Sequence, residues 1–281
     1  KGLRAFDEHD SDFFLELLPG PRDRGGLPEG LRFWKTRIED SDPDRTFAVG
    51  LLYGPSGCGK SSLVRAGLLP RLSRNVLTVV IETTAGETEA RLLNSLRRKC
   101  PGLPASLGLK GTLAALRQGQ FIPQGGKVLI ILDQFEQWLH ASRSRQDSEL
   151  VLSLRQCDGA HLQCLAIVRD DFWMAATRFM WELEHRLVEG HNSHAVDLFP
   201  IRHARRVLEL YGKACGALEA GKRGPTGERG PVGIAANTGA TGPKGDVGAQ
   251  GPAGTRASRG SRTSGTLGTC WSARTGRSEW S

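Results

Sequence analysis

Five short aliphatic runs punctuate the chain: TFAVGLLY (46–53), NVLTVVIE (75–82), KVLIIL (127–132), LQCLAIV (162–168) and SHAVDLF (193–199). They are almost continuously apolar rather than alternating, which is how strands covered on both faces of a parallel sheet read. Between them, apolar residues recur every three or four positions. This predicts helices over Lys60–Leu72, Glu87–Arg98, Thr112–Arg117, Phe135–Ala141, Ser148–Gln156 and Asp171–Leu187, with a last one over Ile201–Leu218. Strand and helix in alternation predict an α/β fold, a five-stranded parallel sandwich with helices on both faces. Ahead of it, residues 1–45 read as a mixed lead-in. They hold a Pro/Gly-rich loop, LLPGPRDRGGLPEG, and a helix from Pro28 to Ile38 with proline in its first turn.

The pattern stops at Ala220. From Gly221 come five Gly-X-Y triplets (GKR-GPT-GER-GPV-GIA), an interruption at ANT, six more triplets (GAT-GPK-GDV-GAQ-GPA-GTR), and then ASRGSRTSGTLGTCWSARTGRSEWS. The triplets are collagen-like, but two interrupted blocks make a marginal triple helix at best, and the remainder has almost no aliphatic content to bury. Three domains are therefore expected: a lead-in over 1–45, a core over 46–218, and a disordered or collagen-like tail over 219–281. The abrupt change also fits a reading-frame junction.

Composition alters the picture in one respect. The net charge of +8 across 281 residues suggests a nucleic-acid binder, yet the tail from Gly221 holds 9 of the 38 Lys+Arg and only 3 of the 30 Asp+Glu. That leaves 29 against 27 in the rest, so the basicity belongs mostly to the tail and nucleic acid is an unlikely partner for the core. Six cysteines (Cys58, Cys100, Cys157, Cys164, Cys215, Cys270) lack the spacing of zinc or redox motifs. Several sit in apolar patterns, as reduced thiols of a cytoplasmic protein do. No run approaches a membrane span, and the start, KGLRAFDEHD, has neither an initiator Met nor a signal core, so the chain reads as a piece of something longer.

The residues that carry chemistry lie at strand ends. Gly54, Pro55, Ser56, Gly57, Cys58, Gly59, Lys60 and Ser61 fit G-x-x-x-x-G-K-[ST] between a strand and an amphipathic helix that opens with Ser61 and Ser62. Glycines let successive backbone N–H groups curl around a β-phosphate at the positive end of the helix. Lys60 would then reach the β- and γ-phosphates, and the Ser61 hydroxyl would ligate Mg²⁺. Cys58 stands at a variable position of that motif. VLIILDQFEQW supplies a second element: Asp133 ends a buried strand, where such sheets bind ligands, and would hold Mg²⁺ opposite Ser61. It also fits an N-cap for the helix starting near Phe135. Gln134 cannot act as a base, so Glu136 is the candidate water-activating group, with a solvated helix residue as the alternative. Arg169 ends the fourth strand in Arg169-Asp170-Asp171; it could sense a γ-phosphate, or simply pair with its neighbouring aspartates.

GPSGCGKSSLVRAGLLP, LIILDQFEQWL and IVRDDFW, in that order, resemble the STAND-class P-loop NTPases, and more narrowly the novel STAND domain of bacterial signalling proteins that also carry Ser/Thr kinase and WD-repeat domains. The lead-in KGLRAFDEHDSDFF is similar too, and the likeness runs from Lys1 to about Leu218. The resemblance implies ATP and Mg²⁺ as ligands, Gly54–Ser61 as phosphate loop, Asp133 as Mg²⁺ ligand, Arg169 as sensor, and a nucleotide-dependent switch with a possible nucleotide-dependent oligomer. In that family a helical lid and sensor modules follow the fifth strand. Here the collagen-like stretch follows instead, so binding with slow hydrolysis is expected. The alternatives are a DNA-associated P-loop ATPase, against which the near-neutral core speaks, and a non-enzymatic collagen-like protein, against which the short repeat speaks. His191 with His194, and Glu182 with His185, lack convincing metal spacing. Trp138, Phe172, Trp173 and Trp181 read as core residues, and Arg97, Arg98 and Lys99 as a solvated helix end.

Overall fold

A computed structural model describes residues 5–141 and 148–214. The five aliphatic runs are strands: β1 (Val49–Gly54), β2 (Val76–Glu82), β3 (Lys127–Asp133), β4 (Leu162–Arg169) and β5 (Ser193–Ala195). All pair in parallel, in the order β2-β3-β4-β1-β5. The sheet is therefore an α/β sandwich of the expected kind. Around it lie α1 (Ser11–Leu17), α2 (Glu29–Glu39), α3 (Lys60–Ser62), α4 (Thr88–Lys99), α5 (Leu109–Arg117), α6 (Glu136–Ala141), α7 (Glu149–Leu154), α8 (Trp173–Glu182) and α9 (Ile201–Ala214). The Gly-X-Y repeats, Cys215 and Cys270 fall outside the described residues, as does the end of the last helix expected from sequence.

Alternation along the strands sorts their side chains into two cores. Val128, Ile130 and Leu132 of β3, with Cys164, Ala166 and Val168 of β4, join one core with Leu92, Leu96, Leu113 and Leu116 from α4 and α5. Leu129, Ile131, Leu165 and Ile167 face the other side, where Leu31, Trp34 and Ile38 of α2 complete the second core. The spacing of those three α2 residues puts them on one helix face. The lead-in thus covers part of that face, beside Leu63, Val64 and Leu68 from the segment after the glycine-rich loop.

Several elements depart from the sequence reading. Glu8–Asp10 form a 3-10 turn, capped by the Asp7 carboxylate accepting from the His9 N–H, that leads into α1, two elements the reading of a mixed lead-in did not specify. Pro28 is the N-cap of α2 rather than a residue of its first turn. The helix expected over 60–72 starts as α3, widens to a π-helix over Leu63–Leu68 and tightens to a 3-10 turn over Leu69–Arg71. Pro70 has no N–H for the Ala66 carbonyl, and the Arg71 guanidinium donates to the Ala66 and Gly67 carbonyls instead, each at 2.9 Å. Similarly, α8 ends at Glu182 rather than 187. Glu184 takes φ +63°, and the His185 N–H reaches the Met180 carbonyl while the Glu184 N–H reaches Trp181. This is a Schellman stop with glutamate where glycine is usual, so composition conceals it. At the end of α4, Arg97 donates to the Ala105 and Leu107 carbonyls and stitches down the next loop rather than standing in solvent.

Candidate phosphate-binding site

The strand order decides what meets at the C-terminal edge of the sheet. β4 lies between β1 and β3, with Arg169 paired to Gly54 in register. The glycine-rich loop after β1, Arg169 at the tip of β4 and Asp133 at the tip of β3 therefore stand side by side. They open on a cleft of about 590 Å³ that Ser56, Lys60, Ser61, Asp133, Glu136 and Arg169 help to line.

The loop needs its glycines for distinct reasons. A Cβ on Gly54 would stand 2.0 Å from the Val196 carbonyl oxygen, because the chain leaving β5 crosses there and the Val196 N–H bonds to the Tyr53 carbonyl at 2.8 Å. Gly59 takes φ +90° with open space beside it, leaving a hollow against the backbone. Lys60 is buried, and its ammonium donates to the carbonyls of Gly54 and Pro55, each at 2.8 Å. The Cys58 thiol, also buried, lies 3.8 Å from that ammonium.

The Ser61 hydroxyl donates to Asp133 Oδ1 at 2.7 Å, across the width of β4. Asp133 also accepts the Gln134 N–H at Oδ1 and the Arg65 guanidinium at Oδ2, the latter at 2.9 Å. A hydroxyl and a buried carboxylate brought together in this way form an all-oxygen donor pair suited to a hard divalent cation. The neighbouring hollow and ammonium suit the phosphates such a cation accompanies, so the residues present fit a nucleotide with Mg²⁺.

Past Asp133 the backbone turns sharply. Gln134 takes φ +54°, its carbonyl accepts from the Thr83 hydroxyl, and its side-chain amide donates to Glu82 at 2.8 Å. Glu136, the first residue of α6, is 8% exposed, and its Oε2 has no hydrogen-bond partner among the described residues. The Arg169 guanidinium is paired with Asp171 at 2.5 Å, the ion pair the sequence offered as its alternative, while still lining the cleft. Ser62 also lines the cleft, and its hydroxyl accepts the Phe6 N–H at 3.1 Å.

Two features escaped sequence reasoning. One is Arg65, four residues past Ser61 and so on the same helix face, a spacing that was there to be used. The other is an apolar cleft of about 550 Å³ on the far side of the loop, shared by Phe6, Phe14, Leu63, Val196, Phe199 and Val207. Its walls come from residues separated by almost the whole described chain, and no local pattern could reveal it. Among the described residues no group of three or more His, Cys, Asp or Glu could hold a metal ion, and no helix is long and apolar enough to cross a membrane. The His194 ring stacks on Phe33.

The family model described as Novel STAND NTPase 1 matches residues 1–207. No curated protein matches the chain. Among solved structures, the Drosophila origin recognition complex bound to DNA is similar at 18% identity and a TM-score of 0.51, covering 74% of this chain and 50% of that one. A Walker-type ATPase of Pyrococcus abyssi is similar at 18% identity and a TM-score of 0.47, over 72% and 62%. The Aeropyrum pernix ORC2 protein, in ADPNP–ADP complexes, follows at 19% and 0.48, over 70% and 53%. The first of these likenesses concerns the fold alone, and the chain spans less than two thirds of the length of each of those structures.

Proposed function

The chain belongs to the novel STAND NTPase family, and from that premise we propose that its core binds ATP with Mg²⁺ and serves as a nucleotide-dependent switch that hydrolyses ATP slowly to ADP and phosphate. The observation that carries this reading is the Ser61–Asp133 hydrogen bond of 2.7 Å, set beside the glycine loop at the strand tips. Backbone N–H groups of Gly57, Gly59 and Lys60 would receive the β-phosphate, and Lys60 would leave the Gly54 and Pro55 carbonyls for the β- and γ-phosphate oxygens. Ser61 and Asp133 would hold Mg²⁺, whose charge offsets that gathering on the phosphates. The base would occupy the apolar cleft beside Phe6 and Val196, which makes the lead-in 1–45 a working part of the nucleotide module.

The resting places of the proposed catalytic groups support slow turnover. Arg169 is engaged by Asp171 and Gln134 by Glu82, while Glu136, in the cleft lining, keeps one buried carboxylate oxygen without a hydrogen-bond partner among the described residues. Phosphoryl transfer depends on positioning and charge stabilisation, and the resting arrangement supplies little of either at the γ-phosphate. A switch would use the difference: Arg169 turning from Asp171 to a γ-phosphate would distinguish ATP from ADP.

Thermal melts of the whole chain with and without MgATP test the binding. Ligand at a thousandfold excess over Kd stabilises by about 4 kcal/mol, so wild type should melt at a higher temperature with MgATP and Lys60→Ala should lose most of the gain. Equal shifts in both proteins would overturn the reading.

A further inference from the structure

Arg65 has no place in the phosphate loop or among the strand-tip residues, yet its guanidinium reaches the carboxylate at their centre. Asp133 is 2% exposed, and a carboxylate buried to that degree needs a countercharge or a full set of donors. Its oxygens divide the work. Oδ1 accepts from the Ser61 hydroxyl and the Gln134 N–H, while Oδ2 accepts from Arg65 Nη2 at 2.9 Å. The Arg65 side chain is 36% exposed, and its buried Nε has no hydrogen-bond partner among the described residues. Most of the polar contact this guanidinium makes in the structure is thus with Asp133. It rises from the π-helical turn Leu63–Leu68, an irregularity common at working sites.

We infer that Arg65 is a positioning residue and the resident countercharge of Asp133. It grips Oδ2 so that Oδ1 alone faces Ser61, and it cancels the carboxylate's charge toward the phosphates whenever a divalent cation is not there to do so. The inference rests on the nucleotide reading above. Its consequence is a change in metal dependence rather than a uniform loss of binding. A triphosphate arriving without Mg²⁺ meets Asp133 as a like charge, and Arg65 offsets that repulsion. A triphosphate arriving with Mg²⁺ brings a cation that Asp133 attracts and Arg65 opposes. Removing Arg65 therefore penalises the metal-free complex and spares the metal-bound one. A role limited to holding the helix would weaken both together.

The test is a titration of the whole chain with ATP, once in EDTA and once in Mg²⁺, taking the ratio of the metal-free to the metal-bound Kd. Charges a few ångströms apart near a protein surface interact strongly enough that Arg65→Gln should raise this ratio about tenfold. Arg65→Lys, which keeps the charge, should stay within about twofold of wild type. In an Asp133→Asn background, Arg65→Gln should leave the ratio unchanged, since the charge it balances is gone. An unchanged ratio in Arg65→Gln, or the same rise in Arg65→Lys, would overturn the inference while leaving nucleotide binding intact. A wild-type chain that binds ATP under neither condition would remove both the nucleotide reading and this inference.

Discussion

Glu136 and Gln134, two residues apart, show how little of a side chain's role is set by its type. Both stand just past Asp133. Gln134, bent through φ +54°, spends its amide on Glu82, whereas Glu136 keeps one buried oxygen without a partner among the described residues. An unpaired polar atom in the interior costs stability that a water or ligand can recover. A water lodged between Glu136 and a γ-phosphate would recover it and lie where attack begins. General-base catalysis contributes on the order of a hundredfold or more. Glu136→Gln should therefore lower single-turnover hydrolysis by roughly that factor and leave ATP affinity within about twofold, because the role belongs to the transition state. Hydrolysis at the wild-type rate in that variant would place the base elsewhere.

At the scale of elements, β3 is anchored by charge at both ends. Asp133 closes it in the cleft, and Lys127 opens it on the opposite edge, donating to the Ile38 and Asp40 carbonyls at the end of α2. Burial pushes the Lys127 ammonium down from 10.5 to about 8, against the opposing pull of Asp158 and Asp40. Since the folded value lies below the unfolded one, unfolding between about pH 8 and 10.5 takes up a proton, and this residue's contribution to stability rises with pH through that window. The buried Cys157 and Cys164 thiols, pushed up by the same desolvation, act in the opposite sense above their ordinary value. The measurement must then be a difference: urea unfolding of wild type and Lys127→Met across the window, with the gap moving in favour of wild type as pH rises. A constant gap would mean the amine titrates normally in the folded protein.

Across the whole molecule, the start and the end of the described chain close on the phosphate loop. The Phe6 N–H bonds to Ser62, the Phe6 ring lies edge-on to Tyr211 of α9, and His203 of α9 meets the Leu17 carbonyl at 2.7 Å. A base in the apolar cleft, as proposed, would touch residues from both ends at once, since Phe6 and Val207 both line it. Phe6→Ala removes an aromatic wall worth 1–2 kcal/mol or more of apolar contact, so ATP affinity should fall about tenfold. Binding of inorganic triphosphate, which has no base, should not change. Equal losses for the two ligands would show that Phe6 supports the loop rather than the base.

Much of this protein was legible in the chain itself. Continuous apolar runs mark strands, and each of the five formed, with β1, β3 and β4 buried almost throughout and the edge strands β2 and β5 only partly buried. The glycine loop, Lys60, Ser61 and Asp133 stand out because they are the residue types that phosphate and Mg²⁺ chemistry would demand at those positions, and the fold brings them to one cleft. What remained hidden was set by non-local geometry. The order β2-β3-β4-β1-β5, which puts Arg169 between the loop and Asp133, arises from packing that no local pattern encodes. The stop of α8 rests on a glutamate in a conformation glycine usually adopts. The grip of Arg65 on Asp133 and the seat of Phe6 on Ser62 join residues 68 and 56 positions apart. Local periodicity reports which face of an element is apolar. Only the folded chain determines which faces meet, and so which charge finds which partner.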